Sequence, residues 1–456
     1  MTQEPGQGRT ARSPTVATFL SFLWPGLGQL YAGARRSALL FGLPLVVVLF
    51  VVGLQALGGP EGLIIQLLTP STALTVLILV VLFGLWRLIS MGDALTSAGR
   101  HGTWRRPIPL ASFLALALVV VMTHAAAASL AWSFYDAGKQ IFSGVTDPDS
   151  TPAATFALPS QSPGSVAPAT PTPSGPTVQA RINILLTGID SSESRTHALT
   201  DTLLVVSLDP NTGELAMISF PRDLARLPTP SGKPYDAKIN SLMSYADRHP
   251  ELYPGGGMIA ITAEIGFLLG AKVDYYASVD LAGFRKLIDR VGGVTVDVTQ
   301  AIDDPVYGGW DQPGRIGFHL TAGSHLLDGE TALAYVRSRK GIGDSDFTRA
   351  RRQQQLLVAL QRKMIDPAML PNLPGILQDA TQTLKTNFPP DRLSEMLGIA
   401  RKTKEASIKR YVLGPPYATY PPDAGGTYLL IPDMTKFAKL SIALFGADSR
   451  YSQNPS

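Results

Sequence analysis

Three long stretches in the first third of the chain contain no Asp, Glu, Lys or Arg: Ser37–Pro60, Gly62–Trp86 and Ile108–Phe134. Each exceeds the roughly 20 apolar residues needed to cross a bilayer core. Buried helices of a water-facing fold are the competing explanation, and three such runs in succession argue against it. A cleaved signal peptide fits neither the length nor the number of the runs. The sequence therefore predicts a membrane region over residues 1–143, with three transmembrane helices near 37–60, 62–90 and 108–134.

Basic residues set the expected orientation. Arg9, Arg12, Arg35 and Arg36 precede the first run, Glu61 alone marks the first turn, and Arg100, Arg105 and Arg106 fill the second. This alternation predicts a multi-pass cell-membrane protein with a cytoplasmic N-terminus, and three crossings put everything after Phe134 outside the cytoplasm. Residues 15–33, TVATFLSFLWPGLGQLYAG, are apolar but have basic residues on both sides and Pro25-Gly26 in the middle. They are read as a re-entrant or interfacial segment.

Residues 144–180 are rich in Pro, Ser, Thr and Ala and contain no basic residue. Such a stretch buries too little apolar surface to fold and reads as an extracytoplasmic linker. At Arg181 the pattern changes. INILLTG, TLLVVSLD, ELAMISF and DYYASVD read as strands, the second and third joined by the turn PNTG. INSLMSYADRH, GMIAITAEIGFLL, LAGFRKLIDRVGG, ETALAYVRSR and FTRARRQQQLLVALQRKMI have helical spacing. The expected fold is α/β, a mixed central sheet with helices on both faces, over residues 181–365. Residues 366–456, with helical stretches around Ile376–Lys385 and Asp391–Lys402, are expected to pack on it as a C-terminal extension.

The chemistry concentrates in YVRSRKGIGDSDFTRARRQQQ, Tyr335–Gln355, which has five arginines and one lysine against two aspartates. The whole chain carries a net charge of only +4, so this is a local feature and not the signature of a general polyanion binder. Arg349 and Arg352 share a helix face, with Gln353 four residues from Arg349. Arg337 and Arg339 converge on one ligand only if the helix ends there, as Gly341 and Gly343 suggest. Arg222, in SFPRD, follows a strand and a proline. Guanidinium groups stay charged and present forked donors that match phosphate oxygens. A solvated helix face is the plain alternative. Nucleic acid is disfavoured, because the predicted topology puts the arginines outside the cytoplasm and no aromatic residues interleave them.

Asp190 and Asp201 fall at predicted strand ends, where open α/β sheets bind ligands. Two carboxylates completed by phosphate oxygens and water are a common way to hold Mg²⁺. The absence of cysteine removes disulfides, thiolate metal sites and a cysteine nucleophile.

In this order the motifs GID, TDTLLVVSLD, MISFPRDL, KINSLMSYA, DYYASVDLAGFRKLIDRVGGVTVDV, HLLDGETALAYVRSR and DFTRARRQQQ resemble the LytR-CpsA-Psr family across about Arg181–Ile365. The resemblance implies a membrane-anchored, Mg²⁺-dependent phosphotransferase that moves a glycopolymer from a polyprenyl-pyrophosphate carrier to peptidoglycan through a phosphodiester. Its expected partners are that donor, the peptidoglycan acceptor and membrane lipid, with no nucleic acid. A polyprenyl-pyrophosphate hydrolase and a non-catalytic regulator that binds lipid intermediates are the alternatives. By motif, Asp190 and Asp201 match metal-binding carboxylates, and Arg222, Arg337, Arg339 and Arg349 match pyrophosphate-gripping arginines. Asp346 matches a carboxylate near the reacting phosphate, a candidate base. Gln353 matches a head-group contact, and Lys238 of KINSLMSYA is taken as a further substrate contact. Arg352 is read as structural. The family often places an arginine where this chain has Leu199, and Arg195 or His197 is the expected substitute. The resemblance also implies an apolar lipid tunnel, with Phe267, Leu268, Phe284, Leu287 and Leu356 as candidates to line it; ordinary core packing is the leading alternative for each.

Overall fold

A computed structural model describes residues 12–56, 66–142, 180–190, 199–229, 232, 234–308, 317–403, 407–423, 425 and 428–452. The chain forms two compact units, Met1–Lys139 and Gln140–Ser456. The predicted linker lies outside the described residues except for Ala180.

The first unit is helical: α1 (Pro14–Leu23), α2 (Leu27–Ala32), α3 (Arg35–Ala56), α4 (Pro70–Ala98) and α5 (Pro107–Ile141). Three stretches are long and apolar enough to cross a membrane: Arg35–Leu54, Pro70–Ala98 and Pro107–Ile141. The second begins at Pro70, eight residues later than the apolar run starts (70 against 62), because proline suits the first turn of a helix, where its missing N–H is not needed. The apolar segment near the N-terminus is broken into α1 and α2 at Gly26, whose φ of +100° is open to glycine without strain. Both short helices lie against α4. Gln29 is fully buried there and fully used: its Oε1 accepts from Ser21 Oγ at 2.9 Å and its Nε2 donates to the Ser90 carbonyl at 2.7 Å. Beside it, a Cβ on Gly28 would come within 2.0 Å of the Ala17 carbonyl oxygen, so only glycine allows this approach.

The second unit is built on six strands: β1 (Ile182–Asp190), β2 (Leu199–Leu208), β3 (Leu215–Ser219), β4 (Tyr275–Asp280), and two that come later in the chain. Between β3 and β4 lie α6 (Leu242–Arg248) and α7 (Gly256–Leu269), and β4 runs into α8 (Leu281–Arg290). Four short strands follow as two antiparallel pairs, β5 (Val294–Val298) with β8 (Gly323–Leu327) and β6 (Ile302–Asp304) with β7 (Phe318–Leu320). Next come α9 (Gly329–Arg337), α10 (Asp346–Met364), α11 (Leu373–Thr383), β9 (Leu384–Thr386), α12 (Leu393–Lys402) and β10 (Ile408–Val412). A last antiparallel pair, β11 (Ala418–Thr419) and β12 (Ile431–Pro432), precedes α13 (Met434–Phe445).

The central sheet has the order β10-β3-β2-β1-β4-β9. Strands β1, β2 and β3 form an antiparallel meander, β4 is parallel to β1, and β10 is parallel to β3, so the sheet is mixed. Alternation along the strands gives it two apolar faces. Leu185, Leu203, Val205 and Ile218 meet Ile261 and Ile265 of α7 and Phe437 of α13 on one face. Leu204 and Met217 meet Val358 of α10 on the other. Each such burial contributes about 1.5–3 kcal/mol. The C-terminal extension does more than pack on this domain, since its β9 and β10 are the two outermost strands. Helical spacing alone carries Ile376–Lys385 through to Lys385, whereas the chain turns extended at Leu384 to pair with Val279.

Candidate active site

Asp201 owes its position to a defect in the sheet. In the β1–β2 ladder Gly188 faces Thr202 and Ile189 faces Thr200, which leaves Asp201 as the extra residue of a bulge. Bulges re-aim side chains at strand ends. Asp190, the last residue of β1, lies across from Leu199 at the same end of the ladder.

Arg222 arrives from the next strand. After Ser219, Phe220 and Pro221 end β3, and Arg222 turns its Nη1 to Asp201 Oδ1 at 2.5 Å. Its Nε lies 3.7 Å from Asp223 Oδ2 and 4.0 Å from Asp346 Oδ1. Burial pulls the Arg222 guanidinium down, but the charges of Asp201, Asp346 and Asp223 outweigh it and hold the group above its ordinary value.

Helix α9 ends at Arg337, so Arg337 and Arg339 leave the helical repeat before they would diverge. The turn that follows is shaped by Asp304, 2% exposed, whose Oδ2 accepts from Ser338 Oγ at 2.9 Å and from the backbone N–H groups of Arg339 and Lys340 at 3.1 Å each. Helix α10 starts with a reciprocal cap: Ser345 Oγ accepts from Thr348 N–H, and the Ser345 N–H donates to Thr348 Oγ1. This fixes Asp346 and Arg349 in the first turn. Asp346 Oδ1 lies 3.0 Å from Arg349 Nη1 and 3.5 Å from Arg339 Nη1. Burial holds the Arg349 guanidinium below its ordinary value; Asp346 opposes that, and the like charge of Arg222 adds to it.

These side chains border a cavity of about 190 Å³, whose polar lining includes Asp201, Arg222, Arg337, Arg339, Arg349 and Gln353. Its apolar lining is Val279, Leu281, Phe284, Leu333 and Val336. A smaller hollow next to it, bordered by Pro221, Asp346 and Phe347, shares Asp201, Arg222, Arg349 and Gln353 with the first. Gln353 is steadied by its Nε2, which donates to the Val336 carbonyl at 3.2 Å. The cluster offers concentrated fixed positive charge, a carboxylate within reach of three guanidinium groups, and an apolar wall beside them.

Lys238 is not in the cavity lining. Its Nζ is held by Asp223 Oδ1 at 2.6 Å, which makes it a support for the loop carrying Arg222. Arg195 and His197 lie outside the described residues, and the side chain of Asp190 is likewise not described. Of the residues read as tunnel wall, Phe284 lines the cavity. Leu268 and Leu356 are instead buried in the two main cores, and Phe267 lies under the Arg450 guanidinium. Sequence reasoning missed Asp304 and Asp344, which hold the turn and the helix start in place. Asp304, in AIDDP, ends β6, and nothing local announces its partners 34 to 36 residues away. The partners of Asp344, Thr348 and Arg352, lie four and eight residues on and could have been sought on the helix that follows.

Among the described residues no group of three or more His, Cys, Asp or Glu side chains is arranged to hold a metal. The donor set still fits Mg²⁺, which binds through one or two carboxylates and takes its remaining oxygens from phosphate and water. Asp201 reaches the cavity, and Asp190 ends the neighbouring strand.

The profile of the LytR_cpsA_psr family matches residues 159–417. The chain is 30% identical over 269 residues to the polyisoprenyl-teichoic acid–peptidoglycan teichoic acid transferase TagV of Bacillus subtilis (strain 168), covering 57% of this chain and 62% of that protein. It is 30% identical over 259 residues to Biofilm regulatory protein A of Streptococcus mutans serotype c, covering 55% and 59%. It is also 28% identical over 219 residues to the polyisoprenyl-teichoic acid–peptidoglycan teichoic acid transferase TagU of Halalkalibacterium halodurans, covering 48% and 64%. The chain thus spans about three fifths of the length of these curated relatives. The crystal structure of B. subtilis TagV aligns with a TM-score of 0.47 at 28% identity, over 58% of this chain and 96% of that one.

Proposed function

The chain belongs to the LytR_cpsA_psr family, and on that premise we propose that it is a membrane-anchored phosphotransferase that moves a glycopolymer from a polyprenyl-pyrophosphate carrier to peptidoglycan. The observation that carries this reading is the mixed lining of one cavity: Asp201 and four arginines together with Leu281, Phe284, Leu333 and Val336. A pyrophosphate joined to an isoprenoid tail needs both kinds of surface. Two of the relatives named above are polyisoprenyl-teichoic acid transferases that act on peptidoglycan, which supports the same class of donor and acceptor here.

In this reading Arg222, Arg337, Arg339 and Arg349 grip the pyrophosphate and neutralise charge as it shifts toward the leaving group. Gln353 contacts the head group. Asp346 takes the proton of the acceptor hydroxyl. The acceptor oxygen bonds to the phosphorus on the glycopolymer side, the bridging P–O bond breaks, and polyprenyl phosphate leaves. Asp190 and Asp201 would hold Mg²⁺, which when bound supplies further neutralisation of the phosphate oxygens. The apolar helices Arg35–Leu54, Pro70–Ala98 and Pro107–Ile141, with the distribution of basic residues, support a multi-pass anchor with a cytoplasmic N-terminus and an extracytoplasmic catalytic domain.

The test uses the full chain in nanodiscs with a polyprenyl-pyrophosphate-linked glycopolymer, with and without peptidoglycan. Release of polyprenyl phosphate matched by covalent attachment, abolished by chelation and restored by Mg²⁺, is expected. Release without attachment when peptidoglycan is present would make the protein a hydrolase, and binding without turnover would make it a sensor. Mg²⁺ binding by calorimetry, lost in Asp201→Asn, checks the metal site apart from activity.

A further inference from the structure

Beyond residue 417, where the family match ends, the chain carries two exposed aromatic rings on a segment bonded to the loop that bears Arg222. Tyr420 directly follows β11 and Tyr428 shortly precedes β12. Their rings lie 4.9 Å apart at 66°, their hydroxyls are hydrogen-bonded to each other, and they are 49% and 43% exposed. The strand pair β11–β12 thus carries two adjoining aromatic rings with open faces.

Backbone pairing fixes where those rings sit. Leu430 bridges Leu224 in parallel; its N–H donates to the Asp223 carbonyl and its carbonyl accepts from the Ala225 N–H, both at 2.9 Å. Tyr428 is thus two residues from the point where this segment is bonded to the loop that carries Arg222. A second tether is the ion pair of Arg226 with Asp423 at 2.9 Å, made by an arginine held at φ +52°, a backbone region disfavoured for side chains other than glycine. Partial burial and the Tyr420 hydroxyl raise the Tyr428 phenol above its ordinary value, and the carboxylates of Asp346 and Asp223 act on it in the same direction. The backbone pairing of Leu430 with Asp223 and Ala225 therefore places the ring-bearing segment next to the loop of Arg222 and Asp223. The apolar wall of the cavity, from Leu281, Phe284, Leu333 and Val336, belongs to α8 and α9.

This arrangement answers a need of the transfer reading. A donor with its tail along α8 and α9 leaves the Asp346 side for the acceptor, whose hydroxyl must be brought to that carboxylate. Flat aromatic faces with hydroxyl rims suit the C–H faces of pyranose rings and their flanking hydroxyls. The neighbouring Arg226–Asp423 ion pair suits a hydrated polymer better than hydrocarbon. We propose that Tyr420 and Tyr428 form a carbohydrate-stacking subsite for the glycan strand that accepts the transferred group, an inference that rests on the transfer reading above.

The experiment measures binding of muramidase-released peptidoglycan fragments to the full chain in detergent, by calorimetry, without donor. The wild type is expected to bind, and Tyr420→Ala/Tyr428→Ala to bind about tenfold more weakly or worse. Tyr420→Phe/Tyr428→Phe keeps both rings and is expected to bind within about twofold of the wild type. In the transfer assay the alanine pair should raise the acceptor KM more than it lowers kcat. Absence of fragment binding by the wild type, equal binding by the alanine pair, or a loss in the phenylalanine pair as large as in the alanine pair would each overturn the subsite. Loss of binding to anionic lipid vesicles by the alanine pair, with fragment binding intact, would overturn it in favour of a membrane contact. A wild type that binds fragments but transfers nothing would defeat the transfer reading and leave the glycan-binding site standing.

Discussion

Arg349 and Arg352 lie three residues apart on α10 and are nearly equally buried, at 7% and 8% exposure, yet they are held in opposite ways. Arg352 is enclosed by partners: its Nη1 donates to Asp344 Oδ1 at 2.6 Å, its Nη2 donates to the Ser338 carbonyl, and its guanidinium lies over the Tyr335 ring. Arg349 shares one carboxylate, Asp346, with Arg339 and Arg222, donates from Nη2 to the Asp201 carbonyl at 3.4 Å, and borders the cavity. Taking a charge out of water is expensive unless a partner compensates it. At Arg352 the fold supplies that compensation, and the clamp it forms joins the end of α9 to the start of α10. At Arg349 the fold leaves cationic capacity facing a cavity, the arrangement expected where an anion completes the site. Burial does not separate the two residues, and among the described residues the Nε of each lacks a hydrogen bond. What separates them is that Arg352 has Asp344 to itself, whereas Arg349 shares Asp346 with two other guanidinium groups.

The most forceful way to break this comparison is to remove each guanidinium in turn. Arg352→Ala leaves the buried Asp344 without its cation and opens the clamp at Ser338, and should lower stability by about 3–5 kcal/mol. Urea unfolding of the full chain in detergent measures this. A loss below about 1 kcal/mol, the range of exposed ion pairs, would show that Arg352 is not the structural member of the pair.

Arg349→Ala should behave differently. It removes one of three cations around Asp346 and relieves repulsion with Arg222, so its stability loss should be the smaller of the two. Transfer should fall about 10²- to 10³-fold, the usual consequence of deleting a donor that stabilises developing charge. Kinetics with lipid-linked donor, read beside the same urea curves, sharpen the contrast. Equal unfolding losses in the two variants would erase the distinction.

The sequence made the arginines legible for a reason that also limited it. Arg337, Arg339 and Arg349 stand out because charge density and nearby glycines are local properties, and the mixed sheet followed from the short turn PNTG between two apolar runs. The partners that sort the arginines by role are not local. Asp304 reaches Ser338 across 34 residues, and Asp201 is aimed by a slip in strand pairing that composition does not encode. Lys238 shows the same limit: its motif marks a cation, but its partner Asp223, fifteen residues earlier, is visible only in the fold. The short edge strand at Leu384–Thr386 was hidden because pairing with β4, and not its own propensity, makes it extended.

Glu264 on α7 shows a third way to treat a buried charge and yields the smallest expected effect per unit change. It is 2% exposed, and its Oε1 has no hydrogen-bond partner among the described residues. Burial pushes its carboxyl up to about 8, with Arg450 pulling only weakly the other way. Where Arg352 is paired and Arg349 is left for a ligand, Glu264 suppresses its charge by keeping its proton. The consequence has a definite sign. Between the ordinary carboxylate range and about pH 8 the folded state holds one proton more than the unfolded chain, so stability falls as pH rises, by about 1.4 kcal/mol per unit from this group. Below that window the contribution is complete, and above it the loss levels off. Glu264→Gln keeps the shape and removes the titration, so the difference between its urea midpoints and those of the wild type should widen steadily from pH 5 to pH 8. Parallel pH profiles for the two proteins would mean that Glu264 is ionised in the fold and has found a partner, which would place it with Arg352.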